Sequence, residues 1–463
     1  MSQGRKIRDP IHGFIELQGE ECDLLDTVIF QRLRRIHQLA MAYLVYPGAL
    51  HTRFDHSLGV FHVAGRLCNV LKIDQEHARI IRLAALLHDI GHGPFSHVSE
   101  FILDTLGSKD LRSGAGQAEK THESLTEKII LTHPDLERAL EEKDREKIAA
   151  LLRDGLDHRI NRDILSGPLD ADKQDYLLRD SYFCGVRYGI YDLDQLHNTL
   201  CSGMDGTDRI MMVESDGIHA LEQYVLAKYY LTTQVYRHKV RLITDNMLIR
   251  AIQLGVEEDN IRFLNKLYRY VDGGEFISNY LTWDDQQITV ELLKQEYQST
   301  HAGHLFRCIA NRRLFKRIFS LRLRDLPGEL RTILPERFPN IRGELEKRFA
   351  EEFQKQTGDP IDFRHVILYK FDIDSVRTQS RNSEGTVMIY KEPKSIPFED
   401  ESFLFRSINE KSKEEIIECY APVSASNEER EKLFQNISDF AISLFSEYVQ
   451  PLSKEEGRGD SPC

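Results

Sequence analysis

Little in this sequence suits an extracellular, membrane-bound or nucleic-acid-coating protein. The seven cysteines, Cys22, Cys68, Cys184, Cys201, Cys308, Cys419 and Cys463, are odd in number, scattered and without a C-x-x-C pair, which excludes a disulfide framework and leaves them as reduced thiols. No apolar run reaches membrane-spanning length and no charged-then-apolar leader stands at Met1, so no membrane partner is expected and the expected location is cytoplasmic. Positive charge is also short: 61 Lys and Arg stand against 74 Asp and Glu, a formal charge of −13. Coating of DNA, RNA or an anionic bilayer needs cations that neutralise phosphates, so long nucleic acid is not expected as the main partner. A small anion is still compatible, because Gln31-Arg32-Leu33-Arg34-Arg35 and Tyr236-Arg237-His238-Lys239-Val240-Arg241 can make local positive pockets. No internal repeat is present.

With 41% hydrophobic and 29% charged residues over 463 positions, the chain can bury a large core. Residues 1–20 read as an extended entry, in which RDPIHGFIEL places Pro10 and Gly13 as turn punctuation. From Asp26 to about residue 255 the apolar spacing is helical, as in Ile80, Ile81, Ala84, Leu87 and Ile90, which predicts a mainly α fold. Gly91 and Gly93 are expected to end one helix and Pro94 to begin the next. Residues 203–217 read as a short hairpin and 107–120 as a mobile polar loop. After about residue 320, β-like runs at 365–369, 386–390 and 416–420 predict a smaller α+β lobe, closed by a helix from about Glu428 to Tyr448. The expected division is a helical catalytic core over 1–320 with its metal site within 50–180, an α+β C-terminal lobe over 321–452, and a disordered tail over 453–463.

The doublet His88-Asp89 lies in LLHDIGHGPFSH, with His56 upstream in RFDHSLG and Asp172 downstream in LDADKQDY. Two neutral imidazoles and two carboxylates suit one borderline transition ion, Fe, Mn or Zn, and leave positions for water and a substrate oxygen. His88 ends an apolar helix, so an aspartate beside it at the edge of the core would be costly without a cation. Asp172 opens a helix on which Lys173, Tyr176 and Asp180 share an arc of roughly 100° with it. One face then carries a metal ligand, a phosphate cation and two polar groups, although an ordinary solvated helix has the same spacing. His92, His97 and His122 titrate in the range needed to protonate a leaving oxygen and to stabilise phosphate charge. Glu100 stands three residues after His97, where its carboxylate can orient the ring. His51, His62, His77, His158 and His219 read as structural.

RDPIHGFIEL, LLDTVIFQRLRRIHQL, YPGALHTRFDHSLGV, LLHDIGHGPFSH, THE and DADKQDYLLRDS, in this order, closely resemble the HD-superfamily deoxynucleoside triphosphate triphosphohydrolases. The match is best to the SAM-and-HD-domain type, whose SAM segment is not among these residues, and it covers roughly residues 5–250, more loosely the rest. The resemblance implies an HD-domain helical core and hydrolysis of dNTPs to deoxynucleoside and tripolyphosphate, by attack of a metal-activated water on the α-phosphorus. It implies that His56, His88, Asp89 and Asp172 ligate the transition metal, and that His92, His97 and His122 assist catalysis, with Glu100 as partner of His97. Arg53, Lys173 and Tyr176 match positions that hold the triphosphate, accompanied by Mg²⁺ or Mn²⁺. Gln38, Asp180 and Tyr236 match positions around the deoxyribose, where close-packed Leu39 and Tyr236 leave no room for a 2′-hydroxyl. For regulation it implies GTP or a dNTP bound between subunits of a dimer or tetramer, read by Asp26, Gln31 and Arg34, with Arg5 where a lysine is usual.

The departures fall near the phosphates and the base. Glu100 stands where the family has an aspartate, one methylene shorter, and Lys228 and Thr232 replace arginine and histidine; a lysine loses the bidentate grip of arginine, so base preference does not carry over. The same metal site would serve an HD phosphohydrolase acting on a modified nucleotide, a nucleoside monophosphate or a nucleic-acid end. A non-catalytic nucleotide sensor would be expected to have eroded among His92, His97 and His122, and none is missing. Simple helix capping by Asp26, with a solvated Arg34, is the competing account of the activator residues.

Overall fold

Caps decide where the site-bearing helices start. Thr52 accepts from the Asp55 amide at 3.5 Å while Asp55 accepts from the Thr52 amide at 2.8 Å, a reciprocal box that opens the Arg53–Val70 helix. Asp74 caps Gln75–Leu87 and Asp170 caps Ala171–Cys184, each side chain accepting from the amide three residues on. Gly185 stops the last of these in a left-handed turn with φ 69°. The Arg53–Val70 helix packs against both of the others. Its Leu58, Phe61, Val63 and Leu67, with Leu83 and Leu86 of the second helix, are buried. Each such side chain is worth about 1.5–3 kcal/mol when removed from water.

The computed structural model describes residues 4–106, 121–153, 159–271, 273–374, 386–392, 394–408, 413–423 and 427–449. The polar loop expected over 107–120 and the tail expected over 453–463 lie outside these residues. The strands among them are β1 Arg5–Asp9, β2 Gly13–Leu17, β3 Leu200–Asp205, β4 Asp208–Glu214, β5 Lys316–Arg322, β6 Ile367–Asp374, β7 Met388–Lys391, β8 Lys394–Pro397 and β9 Lys413–Ala421. The fold is mainly helical with small sheets, as the spacing predicted.

The chain divides into two compact units, one from 1–312 and 376–410, the other from 313–375 and 411–463. This corrects the expected lobe in one respect. The run 386–390, read with the C-terminal lobe, belongs to the first unit: β7 pairs parallel with β4, Met212 opposite Met388, and β8 follows antiparallel to give the order β3-β4-β7-β8. A β-like run announces a strand but not its partner, and here the returning chain covers the edge of β4, whose Ile210, Met211, Met212 and Val213 are buried. The hairpin expected over 203–217 is β3–β4. In the second unit β5, β9 and β6 form an antiparallel sheet, and the helices Gly328–Thr357 and Asn427–Val449 supply a core of Leu345, Phe349, Phe353, Ile437, Leu444 and Phe445 with Ile417 and Cys419 of β9.

Candidate metal centre and active site

His88 sits at the C-terminal end of Gln75–Leu87, and the next helix starts at His97, not at Pro94 as expected. The intervening turn is held in a strained form, with left-handed φ at the non-glycine Phe95 (62°) and Ser96 (54°). Neighbours over-determine it: the Phe95 amide donates to Asp285 at 2.6 Å, while Ser96 Oγ donates to the His37 carbonyl at 2.7 Å and accepts from Arg53 Nε at 3.0 Å. Gly91 is required for approach and not for stopping the helix, since a Cβ there would lie 2.4 Å from the His122 carbonyl oxygen.

The turn and two neighbouring helices bring four predicted ligands together. The ligand atoms of His56, His88 and Asp89 lie within 4.8 Å of one another. Asp172 Oδ1 lies 2.9 Å from His56 Nε2 and 3.9 Å from His88 Nε2, and Asp89 Oδ1 lies 3.3 Å from His88 Nε2. Three of the residues are largely enclosed, and Asp172 is the open member, its side chain 36% exposed.

The protonation chemistry of this cluster fits a cation. His88 Nδ1 lies 2.8 Å from the Ala85 carbonyl and must donate to it, so Nε2, buried, without a hydrogen-bond partner and facing carboxylate oxygens, is the nitrogen turned to the cluster. Burial resists charging His56, but its hydrogen bonds to Asp172 and Asp175 and the field of Asp89 prevail and push its pKa up to about 10. Burial likewise favours a neutral Asp89, yet Arg53, His88 and His92 hold it well below the carboxylate range. A proton on His56 thus occupies the place of a cation. Donors bonded to one ion at about 2.0–2.2 Å stand roughly 3 Å apart, close to the spacings here.

Beside the cluster, Glu100 organises two histidines. Its Oε2 lies 3.0 Å from His97 Nδ1, as the spacing predicted, and its Oε1 lies 2.7 Å from His122 Nδ1, a contact that spacing cannot show. Burial would raise the Glu100 carboxyl, but the two imidazoles outweigh it and keep the pKa low. His92 stacks on His122 with ring centroids 4.0 Å apart and lies 3.3 Å from Asp89. Burial, Arg53 and His122 push its pKa well below the ordinary value, so this ring is neutral.

The residues expected around a substrate are less uniform. Arg53 donates to Asp89 at 2.6 Å and to Ser96, and its buried Nη2 has no hydrogen-bond partner. Lys173 turns back to Asp170 and to the Gly167 carbonyl. Asp180 accepts from Tyr236 at 2.5 Å, and the Tyr176 ring lies 6.1 Å from that of Tyr236. Gln38 and Leu39 are buried, and Lys228 is half-buried one turn before the Thr232–Tyr236 segment. Of the expected activator residues, Arg5 pairs with Asp26 at 2.5 Å, and Arg34 donates to Gln31 at 2.8 Å while lying 3.4 Å from the centre of the Phe54 ring. Thr27, not Asp26, caps the helix Val28–Arg32, so capping does not account for Asp26.

Residues 53–180 match the HD domain, and residues 197–439 match the HD associated region. The chain belongs to the HD-domain family. It is 32% identical over 347 residues to the uncharacterized protein MJ1154 of Methanocaldococcus jannaschii, covering 75% of this chain and 66% of that protein. It is 32% identical over 326 residues to the deoxynucleoside triphosphate triphosphohydrolase SAMHD1 homolog of Dictyostelium discoideum, covering 67% of this chain and 59% of that protein. The chain therefore spans somewhat less than two thirds of the length of these relatives. The crystal structure of a phosphohydrolase from Bacteroides thetaiotaomicron superposes with a TM-score of 0.70 at 25% identity, covering 90% of this chain and 100% of that one.

In and beside this HD domain the structure adds residues to the site. His51, read as structural, lies 2.8 Å from Asp180 Oδ1, stacks on Phe183 at 4.8 Å, and accepts at its carbonyl from the Gln38 amide at 3.0 Å. It thus touches two of the residues expected around a sugar, Asp180 and Gln38. Asp175, His12 and Arg179 form a buried group behind His56. The local signal for Asp175 and Arg179 was the acidic and basic content of DADKQDYLLRDS, whereas the contacts of Asp175 with His12 and His56 span more than a hundred residues.

Proposed function

We propose that this protein is an HD phosphohydrolase that cleaves dNTPs to deoxynucleoside and tripolyphosphate by attack of water at the α-phosphorus. The observation that supports the reading is one cluster in which His56, His88, Asp89 and Asp172 adjoin a carboxylate holding two imidazoles. A transition ion, Fe, Mn or Zn, held by His56, His88, Asp89 and Asp172 would polarise a phosphate oxygen and lower the pKa of water. The chain's own groups do the rest. Glu100 accepts from Nδ1 of both His97 and His122, so each ring turns Nε2 away from it, and the carboxylate stabilises a positive charge on either. His97, the exposed ring, protonates the departing 5′ oxygen. His122 and the spare Nη2 of Arg53 stabilise phosphate charge, together with Mg²⁺ or Mn²⁺ brought by the substrate. Asp180, Tyr236 and Gln38 face the deoxyribose, with Leu39 closing the space a 2′-hydroxyl needs. Lys173 and Tyr176 bind the triphosphate, with Lys228 beside them.

The dNTP assignment draws support from the Dictyostelium relative's name and from the Asp180–Tyr236 pair; the paired Arg5 and Asp26 and the adjoining Gln31 and Arg34 support binding of GTP or a dNTP between subunits. Product analysis of the metal-loaded protein with each dNTP, alone and in mixtures, tests both parts. Tripolyphosphate and deoxynucleoside are expected, with faster turnover in mixtures or with added GTP. Release of orthophosphate or pyrophosphate instead, or no turnover of any dNTP, overturns the substrate assignment and favours another phosphoester.

A further inference from the structure

The N-terminal hairpin reaches the metal centre through one buried carboxylate. Asp175 is fully enclosed and is contacted by His12 Nε2 at 2.7 Å, His56 Nδ1 at 2.8 Å, and Arg179 Nε and Nη2 at 2.8 and 2.9 Å. Arg179, also fully buried, donates its Nη1 to Asp9 Oδ2 at 2.8 Å. The other oxygen of Asp9 accepts from the amides of Ile11 and His12 at 2.8 Å and so shapes the turn that presents His12. Gly59 makes room for the group: a Cβ there would stand 1.8 Å from Asp175 Oδ1 and 2.4 Å from Arg179 Nη2.

An ionised carboxylate only accepts, so the His56 nitrogen facing Asp175 carries its hydrogen, and the ring is turned so that Nε2, which bonds Asp172 at 2.9 Å, is the nitrogen offered to the cluster of Asp89, His88 and Asp172. If Asp175 served packing alone, its ion pair with Arg179 would suffice. Two of its contacts are imidazoles, one of them a metal ligand, and the other belongs to a segment outside the helical core. We infer that Asp175 is a positioning residue for His56, and that Asp9 and His12 of the hairpin act on the metal centre through it. The inference rests on the metal-centre part of the proposed function and is independent of which phosphoester is cleaved.

The test uses the full chain, titrated with Mn²⁺ and Co²⁺, with electron paramagnetic resonance and visible absorption as readouts beside thermal melting. Asp175→Asn is expected to weaken cation binding by about 10–100-fold and to alter the Co²⁺ spectrum. His12→Ala and Asp9→Asn are expected to give smaller losses in the same direction. A folded Asp175→Asn protein whose cation affinity matches wild type, even with a lower melting temperature, overturns the inference. Should Asp175→Asn not fold, unchanged affinity in both hairpin variants overturns it equally. Wild type that takes up neither cation overturns the metal centre and this inference together. Loaded wild type that leaves dNTPs intact overturns the substrate assignment alone, because the cation titration still reads.

Discussion

The two units of this chain bury different things. The first encloses His56, Asp89, His92, Asp175, Arg179 and Asp180, ionisable groups that are seldom interior, while the second encloses mainly Leu345, Phe349, Phe353, Ile437, Leu444 and Phe445. The second unit's buried charges among the described residues, Glu346 and Glu418, are closed by Arg342 and the Leu368 amide, and by Arg317, Ser320 and Tyr420. In the first unit several buried polar atoms, among them His88 Nε2, His92 Nδ1 and Arg53 Nη2, have no hydrogen-bond partner. Unpartnered polar atoms cost stability and occur elsewhere in both units too, but these three stand together beside the His56, Asp89 and Asp172 cluster, where a bound cation or anion could satisfy them. The second core has the composition of a stabiliser.

The sharpest way to break this contrast is to remove the cluster. His88→Ala or Asp89→Ala is expected to abolish cation uptake and turnover together, and full activity in either variant would sink the metal-site assignment. Asp89→Ala also leaves Arg53, only 3% exposed, as an uncompensated buried charge, so denaturant unfolding of the metal-free variant should show a loss of about 3–5 kcal/mol. Phe349→Ala acts on the other core. It should cost about 3–5 kcal/mol of stability by differential unfolding while metal content per folded chain stays at the wild-type level; loss of metal would show that the two cores are not separable.

A smaller effect is expected at His51. Removing its ring leaves Asp180 with Tyr236 as its remaining partner on that side, and His51→Ala should lower kcat/KM for dNTPs by about tenfold, mainly through KM, the equivalent of one hydrogen bond to a charged group. Equal loss of metal would return His51 to a general structural role. The fourth prediction concerns pH. The His56 pKa of about 10 lies above its unfolded value, so charging this ring stabilises the metal-free fold fully below pH 6.5, and that contribution is lost as pH rises through 10. A cation needs the same nitrogen, so binding at neutral pH should release a proton and affinity should rise by up to about tenfold per pH unit, measured by titration in weakly buffered solution. The smallest structural effect is expected at the surface: Arg5→Ala breaks an exposed pair, should leave the melting curve unchanged, and should remove any stimulation by GTP or a second dNTP.

Much of the helical architecture was legible because its signals are local. Apolar spacing marks the buried faces, and the helix expected to open at Asp172 begins at Ala171, capped by Asp170. Where a signal depended on a distant partner, local reading failed. The 386–390 run was recognisable as a strand, but its pairing with β4 joins residues well over a hundred positions apart. Pro94 looked like a helix start, yet contacts from Asp285 and Arg53 hold that stretch as a strained turn.

The candidate site divides in the same way. The sequence by itself determined the donor types and their local spacing: the adjacency of His88 and Asp89, the three-residue step from His97 to Glu100, and the face shared by Asp172, Tyr176 and Asp180. Only the tertiary structure decided that Glu100 serves His122 as well, that His51 touches Asp180, and that Asp175 stands between His12 and His56. The physical reason is reach. A helix fixes neighbours three and four residues apart, whereas a buried charge takes its partner from whichever segment packing brings within about 3 Å.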